Sequence, residues 1–217
     1  MSISIERKVV GLAEVDHRIG NNLASLSGVI RLQRNAISKS GNNLSTEQVC
    51  MLLDDVTARI EVMAKLHKSL ALGVNGDGVN LGDFLQEISE LIGTLGPEGR
   101  MDLTVDNCCE GCIDPRRALH VGLITAELLT NASKYAHPTG LPVKVHIRCE
   151  TNDDGSFMVE VTDDGVGFPE SFDPSTDGGL GFQLMRALAN GLSAELQFEH
   201  DSLGVCGRLV RRKHLAS

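Results

Sequence analysis

No apolar run in the sequence approaches the roughly twenty residues that a bilayer-spanning helix requires, tryptophan is absent, and aromatic residues make up only 3% of the chain. A transmembrane protein is thereby excluded. Cysteine is scarce too: six in 217 residues cannot staple a disulfide scaffold, and Met1 to Val10 has no long apolar stretch of the kind found in a secretory signal. These features predict a reduced, cytoplasmic protein. Cys108, Cys109 and Cys112 form one cluster, but no second CxxC or HxxxH stands at zinc-finger spacing, so packing or surface thiols are expected there. Positive charge is in deficit, with 20 Lys and Arg against 29 Asp and Glu, a net charge of −9 and a pI near 5.2. Such a surface repels a phosphate backbone or an anionic leaflet, and the one dense basic stretch is Arg208 to Lys213. No nucleic acid and no membrane insertion are expected. What remains, with 41% hydrophobic positions, is one or two small soluble domains.

Leu12, Val15, Ile19, Leu23, Leu26, Ile30 and Ile37 recur in steps of three and four, with a polar skip at Gln33. That stripe predicts one long amphipathic helix from about Ile5 to Ser38. Lys39 to Ser45 supplies turn chemistry, and Ser45 with Gln48 reads as a capping box opening a second helix. Its stripe is Val49, Leu52, Leu53, Val56, Ile60, Met63 and Leu70. Two long helices on a short loop form an antiparallel hairpin whose stripes are too wide to cover each other, so a dimeric four-helix bundle is expected. Gly73-Val-Asn-Gly-Asp-Gly78 then breaks the pattern. The sequence divides there into a helical domain, 1–75, and a mixed domain, 79–217.

In the second part Asn80 caps a helix to about Leu95, Met101 to Val105 reads as a short strand, and Asp114-Pro115 opens a helix to about Ala136. Val143 to Cys149 and Phe157 to Val161 alternate as strands across an Asp153-Asp154-Gly155 turn. A helix over about Leu180 to Asn190 and a strand pair, Ala194 to His200 and Val205 to Arg211, close an α+β chain.

Three segments of this part carry chemistry. Glu127 and Asn131 stand one helical turn apart with Lys134 at i+3, so a polar ridge presents a carboxylate, an amide and an ammonium. The amide oxygen suits a hard cation such as Mg²⁺ and the lysine a phosphate, although a solvated helix face would look the same. Val161-Thr-Asp163-Asp164-Gly165-Val166-Gly167 ends a strand in two acids and two glycines, which permits close backbone approach and offers a buried acceptor to a ligand amine. Asp177-Gly178-Gly179-Leu180-Gly181 runs directly into a helix and exposes its first N–H groups to an anion. Pro169 to Thr176, between these two segments, has the composition of a loop that closes over a ligand. No GxxxxGK[ST] occurs, so this is not a Walker-type site.

Together and in this order the segments resemble the N, G1 and G2 boxes of the GHKL ATPase fold shared by histidine kinases, gyrase B, Hsp90 and MutL. The resemblance implies an α/β sandwich that binds ATP. In it Asn131 holds Mg²⁺, Asp163 recognises the adenine and Lys134 touches phosphate, while Gly165, Gly167, Gly179 and Gly181, with Glu127 and Leu180, complete the pocket.

In the first part His17 falls roughly 150° from the centre of the first apolar stripe and faces solvent as a candidate nucleophile. Asn21 follows at i+4 and Glu14 precedes at i−3. Glu14-Val-Asp-His17-Arg18-Ile-Gly-Asn21-Asn22 resembles the phosphoacceptor motif of histidine kinases of the HRxxN, HisKA_2-type subclass, and the missing tryptophan argues against the sister HWE subclass. The resemblance implies autophosphorylation of His17 from ATP, with Glu14 or Asp16 orienting the ring or taking its proton. It also implies transfer to an aspartate of a response regulator receiver domain, and Asn21 resembles the position that orients water in a regulator-phosphatase mode. No sensor segment is evident, so input is expected from a partner, from a separate sensor protein, or not at all. The rival reading is a histidine phosphotransfer or scaffold protein that keeps the shape without using ATP; intact Asn131, Asp163 and glycine-rich segments count against it.

Overall fold

The computed structural model describes residues 27–28, 31, 34, 45–73, 78–95, 101–109, 111–137, 141–152 and 154–212. The chain forms two compact units, Met1–Met63 and Ala64–Ser217. The expected first helix lies outside the described residues apart from Ser27, Gly28, Arg31 and Arg34, which are helical; His17, Glu14 and Asn21 are outside them as well. The expected second helix is present. It is α1, Thr46–Gly73, and its first turn is closed by the Val49 amide donating to the Ser45 carbonyl at 3.0 Å.

Beyond it the elements run β1 (Val79–Asn80), α2 (Leu81–Leu95), β2 (Met101–Cys109), β3 (Cys112–Ile113), α3 (Pro115–Asn131), β4 (Val143–Thr151), β5 (Phe157–Asp163), α4 (Leu180–Gly191), β6 (Glu195–Asp201) and β7 (Gly204–Arg211). Local chemistry starts the helices where the sequence predicts. The Asn80 side chain accepts from the Asp83 amide at 3.0 Å to cap α2, and Asp114 accepts from the Arg116 amide at 2.8 Å with Pro115 in the first turn of α3.

The sheet has the order β2-β4-β5-β7-β6, with β2 parallel to β4 and every other pair antiparallel. Alternation sorts its faces. Val143, Val145, Ile147 and Cys149 on β4 and Phe157, Val159 and Val161 on β5 are buried on one face. Lys144, His146 and Arg148 stand on the other. The helices cover the apolar face: α2 packs on β2 and β4, α3 on β5, α4 on β6, and α3 lies between α2 and α4. That explains why α3 is buried almost continuously from Ala118 to Leu129. Each fully buried Leu or Ile in this layer, such as Leu85, Ile88 and Leu129, contributes about 1.5–3 kcal/mol.

Two features depart from expectation. Strand β2 continues past Val105 to Cys109 because β4 offers a full parallel partner, from Met101 opposite Val143 to Cys109 opposite Thr151. The α-helical hydrogen bonding of α3 ends at Asn131, and Ala132–Ala136 forms a wider π turn. From there the polar ridge no longer follows the three-and-four spacing of an α-helix.

Candidate functional site

The far end of α3 brings the first chemical segment to the edge of the sheet. Along it Glu127 is buried at 6% exposure, Asn131 is half-buried and Lys134 is exposed, so the ridge leads from the interior to the surface. The π turn that follows is fastened to the second segment. The Val166 amide donates to the Ala136 carbonyl at 3.0 Å. Gly165 lies so close that a Cβ there would stand 2.5 Å from Ala136 Cα and 2.8 Å from its carbonyl oxygen. Only glycine allows that approach.

Asp163 ends β5 half-buried. Its Oδ1 accepts from the Gly165 amide at 2.9 Å and the Val205 amide at 3.3 Å. Both of these bonds fall on one oxygen, which leaves Oδ2 to accept from a ligand. Burial pushes the carboxyl above its ordinary value, against the lowering effect of those two amides. An acid held this way gains from a donor that arrives with a ligand. Its neighbour Asp164 behaves differently: some desolvation is outweighed by the Lys144 amide at 2.8 Å and the His137 imidazole at 3.2 Å, and the carboxyl is held below its ordinary value. Asp164 and His137 thus tie the end of the π turn to the start of β4. Sequence reading gave neither this role, because no periodicity links a residue just past a helix to an acid 27 positions on.

The third segment starts α4. Gly179 precedes Leu180 with no side-chain cap on the helix, and a Cβ at Gly179 would meet nothing within 4 Å. Packing within the protein therefore does not account for that glycine. The first amides of α4 carry the partial positive charge of a helix start, which suits a phosphate chain. The second and third segments meet through Phe168 and Phe182, whose rings are 5.9 Å apart. The structure thus brings the Asp163-Gly165-Gly167 turn near both the end of α3 and the start of α4.

The donor set fits a magnesium-bound nucleotide. A single amide oxygen at Asn131, near the buried Glu127, matches a cation that takes few protein ligands and keeps phosphate oxygens and water. A depression of about 320 Å³ on the polar face of the sheet, lined by Asp102, Lys144, His146 and Leu203, shares Asp163 and Asp164 but none of the Asn131 or Gly179 segments. The converging helix ends define the candidate site better than that groove does.

Comparison with known proteins bears on this arrangement. The histidine kinase family matches residues 14–95, and the histidine kinase-, DNA gyrase B- and HSP90-like ATPase family matches residues 117–209. The chain belongs to the histidine kinases. Blue-light-activated histidine kinase 2 of Erythrobacter litoralis is 28% identical over 197 residues, which are 89% of this chain and 54% of that protein. Sensor histidine kinase PdtaS of Mycobacterium tuberculosis is 29% identical over 188 residues, 85% of this chain and 35% of that one. The solved structure of the blue-light activated histidine kinase EL346 of Erythrobacter litoralis superposes with a TM-score of 0.71 at 27% identity, over 93% of this chain and 58% of that chain. The chain spans about half, or a third, of the length of the curated relatives named. Among its described residues no helix is long and apolar enough to cross a membrane.

Proposed function

We propose that this histidine kinase chain autophosphorylates His17 from ATP and passes the phosphoryl group to an aspartate of a response regulator receiver domain. The observation that carries the proposal is the fastening of the Asp163-Gly165 turn to the end of α3, with both amide bonds to the Asp163 carboxylate falling on Oδ1. In this reading Asp163 takes the adenine amine, and Gly165 and Gly167 let the backbone approach the base. Gly179, Leu180 and Gly181 present helix amides to the phosphates, with Lys134 beside them. Asn131 would hold Mg²⁺, which would neutralise phosphate charge, and Glu127 belongs to the nucleotide pocket beside it.

The nucleophile is an imidazole nitrogen of His17. An imidazole with a pKa of about 6.5 keeps a lone pair at neutral pH. The N–P bond forms as the bond from the γ-phosphorus to the bridging oxygen breaks, ADP leaves, and the ring proton passes to Glu14. Asn21 orients water for a regulator-phosphatase mode. Residues 1–75 act as the dimerisation and phosphotransfer domain of a cytoplasmic homodimer, and residues 79–217 as the ATP-binding domain.

The test is incubation of the purified chain with Mg²⁺ and γ-labelled ATP beside His17→Gln and Asn131→Ala. Acid-labile, alkali-stable label that vanishes in both variants is the expected result. Nucleotide binding without label overturns the kinase assignment. Neither label nor binding selects the phosphotransfer or scaffold reading, and acid-stable label points to a hydroxyl acceptor.

A further inference from the structure

The loop between the second and third segments, Pro169 to Gly178, is folded on itself and clamped to one face of α4. Phe172 donates its amide to the Pro169 carbonyl at 2.9 Å, and the Thr176 and Asp177 amides donate to the Asp173 carbonyl at 3.2 and 2.7 Å. Asp173 also takes the Ser175 amide at 2.8 Å and the Ser175 hydroxyl at 2.6 Å, while Asp177 Oδ2 accepts from the Asp173 amide at 2.9 Å. Two small turns result, each holding its own carbonyls.

Two side chains of α4, one helical turn apart, fasten these turns. Phe182 meets Phe172 at 5.3 Å and Phe168 at 5.9 Å between ring centroids, and Phe172 meets Phe168 at 4.9 Å. Arg186 donates through Nη1 to the Pro174 carbonyl at 2.7 Å and to the Asp177 carbonyl at 3.1 Å. One guanidinium nitrogen thus bridges both ends of the second turn. Gly178 leaves the loop at φ +91°, pressed on the Phe182 ring so that a Cβ would stand 2.5 Å from Cδ2. The loop therefore reaches the start of α4 along a single constrained path.

We propose that Arg186 is a positioning residue that latches this loop over the nucleotide site before nucleotide arrives. The inference rests on the reading of Asp163 and the Gly179 segment as an ATP site. A loop carrying Glu170, Asp173 and Asp177 beside a polyphosphate would swing away from it if free. The hydrogen bonds inside the loop occupy two of those acids, and the Arg186 bridge holds the backbone while its charge offsets theirs. ATP then binds a loop already formed, and the ordering cost is absent from its affinity. If removal of the bridge leaves a tenth of the molecules with the loop in place, the apparent Kd rises about tenfold.

The experiment compares the full chain with Arg186→Met and Arg186→Lys, without nucleotide by hydrogen exchange and with a fluorescent ATP analogue by titration. In Arg186→Met, exchange of the Phe172, Thr176 and Asp177 amides is expected to quicken about tenfold while β4 and β5 stay protected, which also shows that the fold is intact. Kd rises about tenfold with the rate at saturating ATP unchanged, and Arg186→Lys recovers part of both effects. Faster exchange with an unchanged Kd overturns the positioning role. A raised Kd without faster exchange overturns it too, because Arg186 would then act by touching the nucleotide. A wild-type chain that binds no analogue, with exchange still governed by Arg186, refutes the ATP-site reading rather than the latch itself, and withdraws the positioning role with it.

Discussion

At the scale of single residues, Asp163 serves two demands that conflict. A half-buried carboxylate with its pKa pushed up by burial costs the nucleotide-free fold stability, and a ligand donor relieves that cost. In the window between the ordinary carboxyl value and the raised one, the folded state holds more protons than the unfolded state, so this group's contribution to stability falls as pH rises through that window. Asn at the position keeps an oxygen for the Gly165 and Val205 amides but, on the proposed reading of the site, turns an NH₂ group toward the adenine amine. We therefore expect Asp163→Asn to leave the nucleotide-free melting temperature unchanged or raised at pH 7. We also expect it to weaken ATP binding about 10- to 100-fold, the range of one charged hydrogen bond. Melting curves with and without Mg-ATP check this; a lower melting temperature with the ATP-induced shift retained would reverse the assignment.

At the scale of elements, the contact between α3 and α4 contains its own titration. His120 of α3 packs against the end of α4, with its ring 3.6–3.7 Å from where a Cβ on Gly191 would lie. Desolvation lowers its pKa from the ordinary 6.5. The folded state therefore keeps the ring neutral where the unfolded chain takes up a proton. Stability from this group is complete above about pH 6.5 and is lost as pH falls from there through the lowered folded value. His120→Gln is expected to lose less of its melting temperature than the wild type between pH 7.5 and 5.5. Equal losses in the two proteins would show that His120 does not sense pH.

The elements also show what a sequence discloses and what it withholds. Asn80, Asp114-Pro115 and the Asp154-Gly155 turn announce α2, α3 and the β4–β5 hairpin because caps and turns are set by the few residues that form them. The part of β2 beyond Val105 was not legible. Asp106 and Asn107 are poor strand formers, and pairing with β4 alongside, to which His146 adds a contact with Asp106 at 3.3 Å, holds them extended. The π turn at Ala132–Ala136 was hidden too, since the residues packed and hydrogen-bonded against its end, Gly165 and Val166, lie some thirty positions on. Glu127, Asn131, Asp163 and the glycines could be named from motif and spacing. Their fastening by Val166, His137 and Arg186 is tertiary, and no local pattern encodes it.

At the scale of the whole molecule, α1 leaves apolar side chains in solvent. Val49, Leu53 and Ile60 are 41%, 60% and 39% exposed, and with Val56 between them they follow steps of four and three along one stripe. A seam at that spacing suits a second helix pair, and the histidine kinase family supplies the likeness of a dimer whose bundle such a seam would close. Leu53→Glu places a carboxylate opposite its twin in the seam, where burying unpaired charge costs several kcal/mol. Sedimentation at micromolar concentration should therefore show a dimer for the wild type and a monomer for Leu53→Glu. The nucleotide-induced melting shift should persist in the variant, because every residue assigned to ATP lies within Ala64–Ser217. A monomeric wild type at that concentration would remove the dimer. A dimeric Leu53→Glu would move the interface off this stripe and onto another face of the helical unit.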